Sequence, residues 1–90
     1  MTKVQTMTNV TITFKVSDNA YGDYDEAFEA FSDQFFIDIV DETPCKGGKT
    51  AIEIQLTVKS EDYKAYEEAL DNFTNSFEHS DLETKEEPVL

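Results

Sequence analysis

Hydrophobic and polar residues alternate almost perfectly in two stretches of this 90-residue chain. In the first, from Val4 to Val16, alternate positions carry apolar or β-branched side chains: Val4, Thr6, Thr8, Val10, Ile12, Phe14 and Val16. In the second, from Ala51 to Lys59, the apolar set is Ile52, Ile54, Leu56 and Val58. A period of two with β-branched residues predicts strands that each have one buried and one solvated face.

A helical period replaces the alternation after a polar turn that follows the first strand. Asp23 is the predicted N-cap of this helix, with Glu26 in the capping-box position. The next apolar residues recur at spacings of three and four, which predicts one buried stripe. They are Tyr24, Ala27, Phe28, Phe31 and Phe35. Asp25, Glu29 and Asp33 fall on the opposite side of the helix.

A short apolar segment and a second helix complete the pattern. Residues 36–40 predict a strand whose Ile37 and Ile39 face the core, and residues 43–49 predict the hairpin loop that follows it. Ser60 is the predicted cap of the second helix. The apolar seam of that helix consists of Tyr63, Tyr66, Leu70, Phe73 and Phe77.

The element order β-α-β-β-α predicts an α+β domain in which two helices pack on one face of a three-stranded, mainly antiparallel sheet. A right-handed crossover between the first two strands, with the third inserted between them, gives a truncated ferredoxin-like arrangement. We assign residues 1–78 to this single domain and residues 79–90 to an acidic, flexible tail, in which Pro88–Leu90 could add a short edge strand. The first strand is then an exposed edge. We expect no internal repeat.

The charges of the chain are strongly one-sided. Twenty Asp and Glu residues outnumber seven Lys, and the formal net charge is −13. Between Lys15 and Lys46 there is no basic residue but nine carboxylates: Asp18, Asp23, Asp25, Glu26, Glu29, Asp33, Asp38, Asp41 and Glu42. Such a chain cannot neutralise a phosphate backbone, which excludes direct binding to nucleic acid, and it repels anionic membranes. The absence of a signal pattern or a membrane-spanning apolar run predicts a cytoplasmic protein.

Catalysis has little support in the sequence. Cys45 and His79 are each the single residue of their type, they lie far apart in the chain, and no third group is placed to orient them as nucleophile and base. We therefore expect a protein that is not an enzyme, with no catalytic residue, no cofactor and no metal ligand. One metal-binding alternative is a loose cation site made of Asp18, Asp23 and Asp25, in a loop that does not match an EF-hand.

The carboxylates of the two predicted helices form rows. Residues four apart on a helix are about 6 Å apart along its axis, so Asp25, Glu29 and Asp33 make a regular line of negative charge. The predicted partner-binding residues are Asp23, Asp25, Glu26, Glu29 and Asp33 in the first helix and Glu67, Glu68 and Asp71 in the second. Rows of this kind can imitate phosphates and occupy a basic groove built for nucleic acid.

In size, charge and acid rows the chain resembles the small acidic DNA-mimic inhibitors that phages encode against restriction enzymes, CRISPR effectors, repair glycosylases and nucleoid proteins. The resemblance is one of type, so no site residue is carried over from it. It implies an inhibitor that blocks the basic DNA- or RNA-binding groove of a host or defence protein without catalysis. The alternatives are an interaction or assembly module, such as a homodimer, that pairs through the exposed first strand, and a cation-binding protein.

Overall fold

The sheet of this protein has four strands, one more than the sequence predicts. A computed structural model of the chain describes residues 7–89, with side chains through residue 88. The elements in chain order are β1 (Met7–Ser17), α1 (Tyr21–Ser32), β2 (Ile37–Cys45), β3 (Lys49–Lys59), a 3₁₀ turn (Ser60–Asp62), α2 (Tyr63–Asn75) and β4 (Ser80–Val89). The α+β class and both helices are confirmed, whereas the three-stranded sheet is wrong.

The strands lie in the order β2-β3-β1-β4, and each neighbouring pair is antiparallel. The fold is thus a complete ferredoxin-like β-α-β-β-α-β arrangement. Residues 80–89, expected to be a flexible tail, run along β1 as the fourth strand. The prediction that β1 is an exposed edge is therefore also wrong, because β3 and β4 cover both of its sides. Val4, Thr6 and Leu90, which belong to predicted strands, lie outside the described residues.

The core lies between the sheet and the two helices, as the alternation predicts. β1 and β3 pair in a register that places Ile12 opposite Ile54 and Phe14 opposite Ile52. The inward-facing apolar residues from Val10 to Val16 and from Ile52 to Val58 are at most 2% exposed. Because each strand buries only its alternate positions, the other face of the sheet carries polar side chains and has no helix over it.

Phe73 of α2 lies at the centre of an aromatic cluster that joins both helices to the sheet. Its ring stacks on Phe31 of α1 with centroids 5.1 Å apart, and it meets Phe77 edge-on at 5.0 Å. The ring centroid of Phe14 in β1 lies 5.9 Å from that of Phe73. Edge-to-face and offset stacked pairs add to the free energy that burial alone supplies. The predicted helical stripes are therefore core residues.

The start of β2 departs from regular pairing. Its register against β3 shifts between Ile37, which lies opposite Leu56, and Ile39, which lies opposite Gln55. A bulge of this kind moves the following side chains to the other face of the sheet. Ile37 consequently packs against the core, but Ile39 is 45% exposed, so the prediction that Ile39 faces the core is wrong.

Both predicted helix caps differ from the structure. α1 begins at Tyr21 with Ala20 as its N-cap, three residues before the predicted cap, so Asp23 lies inside the first turn and makes no capping hydrogen bond. Ser60 opens a 3₁₀ turn ahead of α2 and makes no side-chain cap. The backbone turn, with Ala20 N–H donating to the Ser17 carbonyl, starts α1 in place of a side-chain cap. Asp23 still lies near the positive end of the helix dipole.

The two halves of the chain repeat one another at an offset of 42 residues, contrary to expectation. The apolar positions of β1 fall on those of β3, and residues 21–35 align with residues 63–77. Six of these fifteen helical positions are identical: Tyr21/Tyr63, Tyr24/Tyr66, Glu26/Glu68, Ala27/Ala69, Phe31/Phe73 and Phe35/Phe77. Exchanging the halves turns the strand order β2-β3-β1-β4 into its own reverse, which is the signature of an approximate twofold axis.

Candidate protein-binding surfaces

The structure places all eight predicted partner-binding carboxylates on the solvent side of the helices. Asp23, Asp25, Glu26 and Glu29 are exposed in α1, and Asp33 is exposed at its C-cap. In α2 the exposed set is Glu67, Glu68 and Asp71. The amphipathic pattern thus correctly predicts which helical side chains face solvent.

Three carboxylates of α1 have counterparts in α2 under the 42-residue repeat. Asp25 matches Glu67, Glu26 matches Glu68 and Glu29 matches Asp71. The remaining two acids of α1 align with Ala65 and Asn75, which are neutral. The two predicted rows therefore occupy equivalent positions in the two repeats, and the row on α1 has more carboxylates than the row on α2.

The two rows do not merge into one acidic surface. The groove between the helices is lined by small or neutral residues, among them Ala27, Ala30 and Asn72. Burial raises the pKa of Tyr24, and the nearby charges of Glu42 and Asp25 raise it further. Glu42 belongs to the edge strand β2 and accepts a hydrogen bond from Tyr21, so the N-terminal end of α1, with Asp25 one turn after Tyr21, lies towards the β2 flank.

The second row lies on the opposite flank. Burial raises the pKa of Tyr66, and the charges of Glu86 and Glu67 contribute in the same direction. Glu86 belongs to β4, the other edge strand. Since the Tyr21 hydroxyl donates to Glu42 and the Tyr63 hydroxyl donates to Glu86, the first turns of α1 and α2 lie towards opposite edges of the sheet.

The helical carboxylates are not neutralised by neighbouring bases. Within the part of the chain that the structure describes, the one ion pair joins Lys15 Nζ to Asp81 Oδ2 at 3.5 Å, away from both helices. Lys64 is the single basic residue in α1 and α2. A partner that supplies positive charge therefore need not displace an existing ion pair.

A tyrosine at the start of each helix is held by a glutamate of the strand that follows. The Tyr21 hydroxyl donates to Glu42, and the Tyr63 hydroxyl donates to Glu86. Because a hydrogen bond to a carboxylate favours the protonated phenol, each contact raises the pKa of its tyrosine to about 12. These matched bonds tie α1 to the β2 edge and α2 to the β4 edge.

The uncovered face of the sheet is a second acidic surface, which the sequence did not predict as a site. A shallow hollow of about 520 Å³ lies on it. Five carboxylates from three different strands line the hollow: Asp41, Glu42, Glu53, Asp81 and Glu83. Lys15, which pairs with Asp81, lines it as well. Glu53 occupies a polar position of a predicted strand, so its place on this face was predictable. Asp41 was not, because the predicted strand ended at residue 40 whereas β2 extends to Cys45. Glu83 could not be placed, because its strand was not recognised.

Comparisons with known proteins support the fold but name no function. No family model matches the chain, and no curated protein matches it. Among solved structures, it is similar to the uncharacterized protein TM1266 from Thermotoga maritima, at 18% sequence identity and a TM-score of 0.56. The similarity covers 93% of this chain and 99% of that chain. It therefore extends through nearly the whole fold.

The groups considered for catalysis and metal binding have local contacts. Cys45 Sγ lies 3.7 Å from the Thr43 carbonyl, and His79 Nδ1 lies 3.2 Å from the Phe77 carbonyl. Across residues 7–89, no three His, Cys, Asp or Glu side chains come together as metal ligands would. Neither of the described helices is long and apolar enough to cross a membrane.

Alkaline titration tests the two tyrosine–glutamate bonds. All four tyrosines of the chain have a pKa above the usual 10 in the folded state. The folded state then holds phenol protons that the unfolded state releases, so stability is complete below pH 10 and falls as the pH rises towards 12. Phenolate absorbance should stay low up to about pH 10 and then rise together with unfolding. A smooth titration near pH 10 while circular dichroism remains native would contradict these contacts.

Proposed function

We propose that this protein binds the basic groove of a nucleic-acid-binding protein, such as a nuclease or a CRISPR effector, and blocks it. The carboxylates of α1 and α2 take the place of nucleic-acid phosphates. The observation that supports this proposal is the pair of equivalent acid rows on two packed helices. Their side chains are exposed and, among the described residues, form no ion pairs.

The helices make these carboxylates suitable for electrostatic recognition. Packing through Phe31 and Phe73 fixes the helix positions, so the charges need little ordering when a partner binds. A net charge of −13 also gives long-range attraction to a basic groove, which raises the association rate. Basic partners and salt ions compete for the same charges, so binding should weaken as ionic strength rises.

The two alternative functions gain no geometric support. An assembly module that pairs through β1 requires a free first strand, but β1 is paired on both sides. A cation site requires converging ligands, and no such cluster forms within residues 7–89.

The experiment that tests the function is capture followed by displacement. The protein is immobilised, basic proteins are captured from a bacterial lysate, and each is eluted with a salt gradient and purified. Each purified protein is then bound to a labelled DNA or RNA duplex, and the unlabelled acidic protein is added. Stoichiometric, salt-sensitive release of the duplex supports the proposal. Simultaneous binding of the duplex and the acidic protein to the same target would contradict it.

A further inference from the structure

The β2 edge of the sheet exposes large apolar side chains next to an unpaired strand backbone. Phe36, immediately before the strand, is 80% exposed, and Ile39 and Val40 are 45% and 37% exposed. Among residues 7–89, β2 pairs with β3 alone, so within this part of the chain no strand pairs with the outer side of β2. Exposed apolar side chains beside free strand hydrogen-bonding groups are the two features that an added strand uses.

The other edge of the sheet lacks this combination. Asp81, the second residue of β4, has a left-handed conformation, and the pairing of β4 with β1 is irregular between Thr13 and Lys15. Leu82 is its single exposed large apolar side chain within residues 80–88. In β2, by contrast, residues 39–43 pair in an unbroken register between the bulge and Pro44.

The charge of β2 indicates what kind of strand can join it. Asp38, Asp41 and Glu42 lie in β2, and the strand has no basic residue. Glu53 of β3 lies directly opposite Asp41 and adds a fourth negative charge. A second copy of the protein would bring the same acidic strand and a further net charge of −13 to this edge. A basic strand supplies the complementary charge.

We propose that β2 accepts an added antiparallel or parallel strand from a partner protein in which Lys or Arg alternates with apolar residues. Asp41 and Val40 point to opposite faces of the sheet, since neighbouring strand residues alternate. Asp41 shares its face with Ile39 and with Glu53 of β3, whereas Val40 shares its face with Glu42, whose carboxylate already accepts from the Tyr21 hydroxyl. A partner strand of period two can therefore place its basic side chains beside Asp41 and Glu53 and its apolar side chains beside Val40. This interaction goes beyond groove blocking, because it uses none of the helical carboxylates.

A synthetic nine-residue peptide that alternates valine and lysine is the probe for this site. Its binding is measured by amide chemical shifts and hydrogen exchange of the intact protein. We expect shifts and new protection at residues 37–45, with little change in β4 or the helices. The matched control peptide has the same sequence but carries N-methyl groups along one edge, which remove the strand hydrogen bonds and keep the charge.

A pair of matched protein variants locates the site. The β2 variant carries Val40→Thr and Asp41→Lys, and the β4 control carries Leu82→Thr and Glu83→Lys, so both lose one apolar side chain and gain the same charge. Peptide binding should weaken roughly tenfold or more in the β2 variant, because this variant loses apolar burial and charge attraction. In the β4 control, the affinity for the peptide should change less than about twofold. Thermal unfolding checks that both variants remain folded.

Several results would overturn the proposal. They are equal binding of the N-methylated peptide, chemical shifts centred on β4 or the helices, no binding at about 1 mM peptide, and dimerisation of the protein itself through β2. A variant with Asp25, Glu29 and Asp33 changed to lysine should bind the peptide as the unmodified protein does. Failure of the strand site and failure of the groove-blocking function are thus separate outcomes.

Discussion

Replacing Phe73 by alanine is expected to remove a large part of the stability of this protein. Phe73 is 3% exposed, and its ring contacts Phe31 of α1, Phe14 of β1 and Phe77, which follows α2. Truncating a buried Phe to Ala typically costs about 3–5 kcal/mol. Single domains have total stabilities of roughly 5–15 kcal/mol, and a 90-residue chain lies towards the lower part of that range. The measurement is urea denaturation followed by circular dichroism.

Phe36→Ala is the matched control for this change. The same chemical truncation at a residue that is 80% exposed should alter the free energy of unfolding by less than about 0.5 kcal/mol. If both substitutions cost the same, the aromatic cluster around Phe73 is not the centre of the core. A Phe73→Leu variant, which keeps most of the buried volume, should lose less stability than Phe73→Ala.

Changing Asp25, Glu29 and Asp33 to lysine is expected to abolish binding to the groove of a target protein. Each reversal replaces an attraction with a repulsion, and like charges placed together at an interface cost several kcal/mol. Three such changes should weaken binding by about 100-fold or more. The three side chains are exposed, so the fold should persist. Lysine at Asp33, the C-cap of α1, should even be favourable to the helix dipole.

The control for this variant changes Asp41, Glu53 and Glu83 of the uncovered sheet face to lysine. Its net charge changes by the same amount, so a difference between the two variants reports the position of the charges and not their sum. Competition with a labelled duplex at physiological salt measures both. If the α1 variant released the duplex at the same concentration as the unmodified protein does, the helix row would not be the binding surface. Equal loss in both variants would show that only net charge matters.

Strong periodicity made β1, β3 and the two helices predictable from sequence. Those elements bury one face, so their apolar residues repeat at the spacing of the structure. β4 buries almost nothing: Asp81 to Pro88 are all exposed. Its position depends on backbone pairing with β1, which leaves no pattern in the side chains. The bulge that turns Ile39 outward depends on how β2 pairs with β3, so the alternation of residues within β2 cannot predict it.

The candidate surface was predictable residue by residue but not in its arrangement. The helical period shows that Asp25 and Glu67 face solvent. It does not show that the first turns of the two helices lie towards opposite edges of the sheet, because that depends on how α1 and α2 pack on it. The sequence did not predict that the acidic residues of the uncovered sheet face lie together, because β4 was not predicted as a strand. The repeat was visible in the sequence, and comparing the chain with itself at an offset of 42 residues would have shown it.

The strand order also determines when this chain can fold. One half of the repeat contributes β1 and β2 and the other contributes β3 and β4, yet every strand pair joins the two halves: β1 with β3, β1 with β4, and β2 with β3. Neither half can form a sheet by itself. Closure of these long-range contacts favours slow folding compared with a helical bundle of this size. During synthesis, the strands of the first half therefore have no pairing partner until β3 has left the ribosome.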